Sequence, residues 1–334
     1  MLLKLSALIL FTIALMLANL CLGDVSVSPL EALQTVFSAG TGSGSATELH
    51  DVISSIRLPR LLTAAVVGLA LATSGYLLQA LSRNDLADPY LTGVSSGAAL
   101  GVAFAMLCKF DFQSIPLFAF AGGIIASFFV AFLAKGQAHY GLSVAKLLLA
   151  GIALSSVASA LITMAMTIFG TQLMAQGLNL WLLGGISGRS WAELIPTSFY
   201  VAVGFVAALA TAKQLSLLSL GEETASSLGL NVGRSQVIIL AAAVLLASSA
   251  VALSGMVGFV GLVAPHISRR LFARAVRLQL VTAGLTGACL VLFSDLLART
   301  LNASQELPLG TLMALIGGPF FIYLLSHSLE RVNQ

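Results

Sequence analysis

Between Leu61 and Ser82 the chain carries no charged side chain, and a second apolar run begins at Tyr90. Only a short polar knot separates them, Arg83-Asn84-Asp85 and then Ala87-Asp88-Pro89. A run of about 20 apolar residues is what a helix needs to cross ~30 Å of hydrocarbon. The knot is too short to be a domain, so the stretch reads as span, tight polar turn, span. Inside lipid the backbone must satisfy its own hydrogen bonds, which makes such spans helices.

The remainder of the chain repeats this plan. Only 9% of its 334 residues are charged and its mean hydropathy is +1.01, against roughly 25% charged residues in soluble domains. The class is therefore an all-α polytopic membrane protein, expected as one transmembrane domain over residues 1–334. The net charge of +3 comes from basic residues scattered between apolar runs, which does not suggest nucleic acid. Cys21, Cys108 and Cys289 lie in or beside apolar runs without metal or redox spacing, and read as packed thiols.

The apolar runs predict about ten membrane helices: 2–22, 58–81, 90–108, 114–134, 147–168, 191–212, 235–254, a short or broken one within 255–270, 278–297 and 308–329. The first is expected to be a retained span, since its run exceeds a signal-peptide core and no small-x-small cleavage site precedes Cys21. Residues 23–56, rich in Gly, Ser and Thr, read as a loop. Residues 147–188 contain no Asp, Glu, Lys or Arg; they exceed one span, and 170–188 is read as a re-entrant or interfacial segment. Ten spans place both termini on one side. That side receives eleven of the sixteen Lys and Arg residues, so the positive-inside rule assigns both termini to the cytoplasm. A weak echo between Arg60–Gly75 and Arg234–Gly255 suggests inverted halves, roughly 57–168 and 234–329.

Several motifs admit two readings. Arg57 and Arg60 at the mouth of helix two, with Arg299 near the last outer loop, are either interface anchors or a dock for an acidic partner. Gly93, Gly97 and Gly101 clear one helix face for close packing. Leu218–Leu230 reads as a solvated loop or as a short docking helix, with Ser219 as its cap, Glu222 three residues on, and Gly229 at its end. His266 has no second metal ligand, and Asp295 can pair with Arg299 one turn away. No phosphate-cradling G-x-x-x-x-G-K-[ST] motif, H-E-x-x-H motif or intramembrane carboxylate pair occurs.

Taken together, Arg57-Leu-Pro-Arg60, Gln79 with Asn84–Pro89, Gly93–Gly97, Trp181–Gly185, Leu220–Glu222, Ser227–Gly229, Gly258–His266, Glu306–Gly310 and Gly318–Phe321 resemble the FecCD family of ABC-importer permeases. These blocks run from about Arg57 to Leu325 in the family's order. Asp85 departs from it, because proline usually follows the asparagine, and a local change in the turn is expected. The resemblance implies a cobalamin-importer-permease-like fold and a homodimer with its channel on the two-fold axis. It also implies two cytoplasmic ATPase subunits that bind ATP-Mg, a periplasmic binding protein, and residence in the bacterial inner membrane. Neither a catalytic residue nor a cofactor is expected in this chain. Docking of the binding protein would fall to Arg57, Arg60 and Arg299. Coupling to the ATPase would fall to Gly221, Glu222, Glu223, Ala225, Leu228 and Gly229. An inner gate would fall to Gly141, Leu142, Ser143 and Val144, and helices five and ten would line the path. The expected cargo is an iron–siderophore or haem, with cobalamin or molybdate as alternatives. An ion-coupled secondary transporter and a membrane-embedded enzyme are the competing classes. The first lacks ion-binding groups inside the spans, and the second lacks a catalytic constellation.

Overall fold

The computed structural model describes residues 2–23, 27–39, 48–134, 144–272, 275–301 and 306–332. Helix α1 is Leu2–Cys21, α2 Pro29–Ala39 and α3 Glu48–Asp51, which continues through a π-helical turn at Val52–Arg57 into α4, Leu58–Ser82. A 3-10 turn at Pro89–Thr92 leads to α5, Val94–Leu107, then α6, Ile115–Leu133, and α7, Val144–Phe169. Next come α8, Gln172–Leu183; α9, Trp191–Ala210; α10, Ala212–Leu218; and α11, Glu222–Ser227. The chain closes with α12, Val232–Ser254; α13, Val260–Leu271; α14, Val276–Thr300; and α15, Leu309–Val332.

Among the described residues seven helices are long and apolar enough to cross a membrane: Leu3–Cys21, Val52–Ser82, Phe112–Leu133, Ala145–Phe169, Trp191–Ala210, Val232–Ser254 and Val276–Thr300. Against the expected ten, the described residues give these seven and two shorter apolar helices, Val94–Leu107 and Leu309–Tyr323. Helix α5 has 14 residues because the 3-10 turn takes up Pro89–Thr92. At 1.5 Å per residue it reaches about 21 Å. Helix α13 has 12 residues, and its N-cap Phe259 adopts a left-handed φ of 65°.

The polar knot between the first two helices of the opening stretch is a series of local caps. Arg83 ends α4 in the left-handed region, the Leu86 amide donates to Asn84 Oδ1 at 2.9 Å, and the Tyr90 amide donates to Asp88 Oδ1 at 2.8 Å. Burial pushes the Asp88 carboxyl up to about 6, against the opposing pull of that backbone bond.

Helices α4, α12 and α14 form the core: 78%, 78% and 67% of their membrane-length windows are buried, against 17% for α7. Glycines set the approach. A Cβ on Gly68 would lie 2.3 Å from the Gly287 carbonyl oxygen, and one on Gly287 would lie 2.2 Å from that of Gly68. Gly97 and Gly122 bring α5 and α6 together in the same way, and Gly101 meets the Phe118 carbonyl. Gly93, with φ 86°, caps α5 instead of packing on its face.

Irregular backbone in the bundle is closed by protein groups. The Tyr90 hydroxyl donates to the Val257 carbonyl at 2.9 Å and accepts from the Val257 amide at 2.8 Å. The Gly185 amide donates to Ser254 O, and the Leu309 amide to Gly184 O. Such pairing is what non-helical backbone at membrane depth requires.

Three expectations need correction. Residues 23–56 are not a plain loop: Ser28 and Glu31 form a reciprocal capping box around Pro29, which starts α2. The helix expected from residue 147 begins earlier, at Val144, so α7 starts at the last of the four residues read as a gate. Ser219 does not cap α11; its hydroxyl donates to Ser216 O at 2.7 Å, and Gly221 takes the N-cap position.

Candidate functional site

A cavity of about 620 Å³ opens between α5, α7 and α8. Among the described residues no ionisable group lines it. Its polar side chains come from Ser95, Ser96, Thr171, Gln172 and Asn179, and from a ladder on α7, Ser155, Ser159, Thr163 and Thr167, spaced four residues apart. The spacing stacks the four hydroxyls on one helix face. Ser155 donates to Gly151 O at 2.8 Å, Thr163 to Ser159 O at 2.9 Å, and Thr167 to Thr163 O at 2.7 Å. With their protons held by their own helix, these three hydroxyls offer the cavity oxygen lone pairs. Of the two expected path helices, the one over 147–168 is α7, which lines the cavity, whereas among the described residues none of α15, the one over 308–329, does. The ladder was visible in the charge-free run 147–188 as a four-residue Ser/Thr period.

At the end of the bundle where α4 begins, Arg57, Arg60 and Arg299 are brought together. Arg60 donates from Nε and Nη2 to Asp295 Oδ1 at 3.0 and 2.8 Å, and from Nη1 to Glu306 Oε1 at 2.6 Å. Arg299 Nη2 donates to Asn19 Oδ1 at 2.7 Å, while its Nε lies 3.5 Å from Asp295 Oδ2. Arg57 is buried, and its Nη1 donates to the Leu20 carbonyl at 2.6 Å. The three cations therefore share one electrostatic cluster that ties α1, α4 and α14 together. Burial alone would raise the Glu306 carboxyl, but the hydrogen bond and charge of Arg60 outweigh it and hold the group below its usual range. Asn19 was not singled out in sequence, since a lone Asn in an apolar helix has no spacing signal.

At the opposite end, Arg269 of α13 pairs with Asp85 and with Gln79 Oε1, and its guanidinium sits 5.3 Å from the centre of the Tyr76 ring. Gln79 also donates to Gly261 O at 3.2 Å. Asp85 thus does more than alter its own turn, because it connects the α4–α5 turn to α13. The pair is exposed, so about 0–1 kcal/mol is the scale to expect from it.

Close by, α11 projects between α10 and α12. Ala225 is fully buried beneath it, Glu223 is exposed, and Glu222 Oε1 accepts from Gln236 Nε2 of α12 at 3.0 Å. Gly229, with φ 83°, follows the helix end as expected, and Leu220 and Leu228 are exposed on either side. Gly141, Leu142 and Ser143 lie outside the described residues. Among the described residues no three His, Cys, Asp or Glu side chains come together as a metal site.

The FecCD transport family model matches residues 10–327. The hemin transport system permease protein of Yersinia pestis is 38% identical over 324 residues, covering 95% of each chain. The Fe(3+)-citrate import system permease protein of Bacillus subtilis is 36% identical over 320 residues, 95% of this chain and 92% of its own. The vitamin B12 import system permease protein of Vibrio vulnificus is 36% identical over 323 residues, 96% and 93% respectively. Among solved structures, an inward-facing one assigned to a metal-chelate-type ABC transporter superposes with a TM-score of 0.83 at 31% identity, covering 97% and 98% of the two chains. The PsaBC complex of Streptococcus pneumoniae shares the fold, with a TM-score of 0.55 at 16% identity.

Proposed function

We propose, from the premise that this chain belongs to the FecCD transport family and is a permease subunit of an ABC importer, that its cargo is a metal chelate, an iron–siderophore or haem. The chain is a multi-pass membrane protein. The observation that carries the cargo reading is the charge-free, hydroxyl-lined cavity beside α7. Such a wall solvates a large chelate without trapping it, since no fixed charge or metal ligand offers a deep well. Its volume suits a sizeable ligand, as small-molecule sites run to ~300–1,000 Å³.

In this reading the chain does no covalent chemistry. A partner ATPase binds ATP-Mg, and its closure pushes α11 and rocks two copies of the permease about a two-fold axis. The sparse burial of α7 fits a helix that meets a second copy. Arg57, Arg60 and Arg299 present a cationic end to a periplasmic binding protein, and Gly141, Leu142, Ser143 and Val144 gate the cytoplasmic side. Both termini lie in the cytoplasm, in a bacterial inner membrane, with ten membrane helices when α5, α13 and α15 are counted beside the seven. The inverted halves 57–168 and 234–329 are supported by packing: α4 against α14 mirrors α12 against α6, and α5 against α6 mirrors α13 against α14.

The test is co-purification in mild detergent followed by reconstitution. A co-purifying ATPase and ATP-dependent uptake of haem or an iron chelate are expected. Uptake of cobalamin or molybdate alone would move the cargo to the family's other branches. Gradient-driven transport by the chain alone, without any ATPase, would overturn the reading in favour of a secondary transporter.

A further inference from the structure

Helix α8 has a second face, which the transport reading does not use. It lines a separate cavity of about 710 Å³, together with the α5–α6 turn and the segment after α8. One wall is apolar, built from Met106, Phe110, Phe112, Ile115, Leu173 and Leu180. The other carries Lys109, Trp181 and Arg189. The Arg189 side chain is only 10% exposed; its Nη1 donates to Glu193 Oε1 at 3.3 Å, but its Nε is buried without an acceptor. The Trp181 indole nitrogen is also buried without an acceptor. A buried donor left unmet costs about 1–3 kcal/mol, so two of them lining one cavity point to an acceptor that belongs there. Glu193 does not line the cavity, which leaves the ammonium of Lys109 and the guanidinium of Arg189 as its charged lining groups.

We infer that this cavity holds an anionic phospholipid. Its phosphate oxygens accept from Arg189 Nε and Trp181 Nε1 beside the Lys109 ammonium, and an acyl chain lies along Phe110, Ile115 and Leu173. Two observations favour a bilayer lipid over a soluble anion. The apolar wall is continuous with strongly exposed side chains, Phe112, Leu173 and Leu180, of the kind that face hydrocarbon in a chain of this composition. The cations and the indole gather beyond the end of α5 and just before α9, where span ends meet the headgroup layer. The inference needs the chain to be embedded in a membrane but does not depend on which cargo it carries.

The experiment uses the full-length chain reconstituted in nanodiscs of equimolar phosphatidylglycerol and phosphatidylcholine with identical acyl chains, re-extracted, and examined by native mass spectrometry. Phosphatidylglycerol is expected to be retained roughly tenfold over phosphatidylcholine, because the two share the phosphate but the choline cation of the latter is repelled by Lys109 and Arg189. Lys109→Gln/Arg189→Gln should abolish that preference. Trp181→Phe, which keeps an aromatic ring but removes the indole N–H, should lower retention by roughly threefold, and it carries the test if the double variant does not fold. Equal retention of the two lipids, or retention unchanged in Trp181→Phe together with a preference unchanged in any folded double variant, overturns the inference. Displacement of the lipid by a soluble anionic chelate at its transport concentration also overturns it, and would assign the cavity to cargo.

Discussion

Arg60 and Asp295, 235 residues apart in sequence, meet through three hydrogen bonds, Nη2 to Oδ1 at 2.8 Å and Nε to Oδ1 and Oδ2 at 3.0 and 3.3 Å, with Asp295 only 1% exposed. Removing one partner of a buried pair strands the other charge, at a cost of about 3–5 kcal/mol. Arg60→Ala should therefore lower the thermal unfolding temperature of the detergent-solubilised protein markedly. Replacing both partners by apolar residues of similar size, Arg60→Met with Asp295→Leu, should be milder than Arg60→Ala alone. Additive losses in this double-mutant comparison would show that the two side chains do not interact.

Glu306 joins the same cluster from outside the spans, and its carboxyl is held below the usual range by Arg60. A carboxylate whose folded pKa is depressed binds its proton less readily when folded than when unfolded. Its stabilisation is present above the ordinary glutamate value of about 4.3. It is lost as pH falls from there through the lower folded value. Thermal melts across that acidic window should show the wild type losing stability more steeply than Glu306→Gln. Parallel curves would remove Glu306 from the linkage.

What could be read before the structure was mostly local. The Gly97 and Gly101 spacing announced a cleared face, and α6 packs against it through Gly122 and Phe118. The end of α11 was marked by Gly229. The Ser28–Glu31 capping box was present in the residues, but its Gly/Ser/Thr-rich surroundings read as loop. Span lengths were legible only where charges bound the run: α5 is short because Tyr90 and its neighbours turn instead of extending the helix, and that turn is fixed by Asp88 and by a Tyr90 contact 167 residues away at Val257. The arginine cluster was half legible. The cations stood out singly, whereas their closure on Asn19, Asp295 and Glu306 depends on tertiary contacts that no periodicity encodes.

The crossing of α4 and α14 leaves no room for a methyl group at Gly68, where an added Cβ would sit 2.3 Å from a backbone oxygen that cannot move alone. Overpacking of this kind typically costs 1–3 kcal/mol, so Gly68→Ala should lower the unfolding temperature. Gly177→Ala in α8 is the matched control, since its Cβ would meet only the flexible Met106 methyl at 3.6 Å. It should be neutral or more stable by up to about 1 kcal/mol, the helix-propensity gain of Ala over Gly. Equal effects at the two positions would refute the close-crossing account.

The two faces of α11 separate a structural role from a coupling role. Ala225 is fully buried, so Ala225→Leu should damage folding and reduce the amount of protein in the membrane. Glu223 and Leu228 are exposed, and a change there leaves the packing intact. If α11 is the surface that receives the ATPase stroke, Glu222→Ala/Glu223→Ala and Leu228→Asp should cut ATP-driven uptake by roughly tenfold or more, the scale of a buried interface contact, at unchanged membrane levels. The Glu222 change also releases Gln236 of α12. The single variant Glu223→Ala therefore distinguishes loss of the docking surface from loss of that internal bond. Uptake that survives both Glu223→Ala and Leu228→Asp would place the coupling surface elsewhere on the chain.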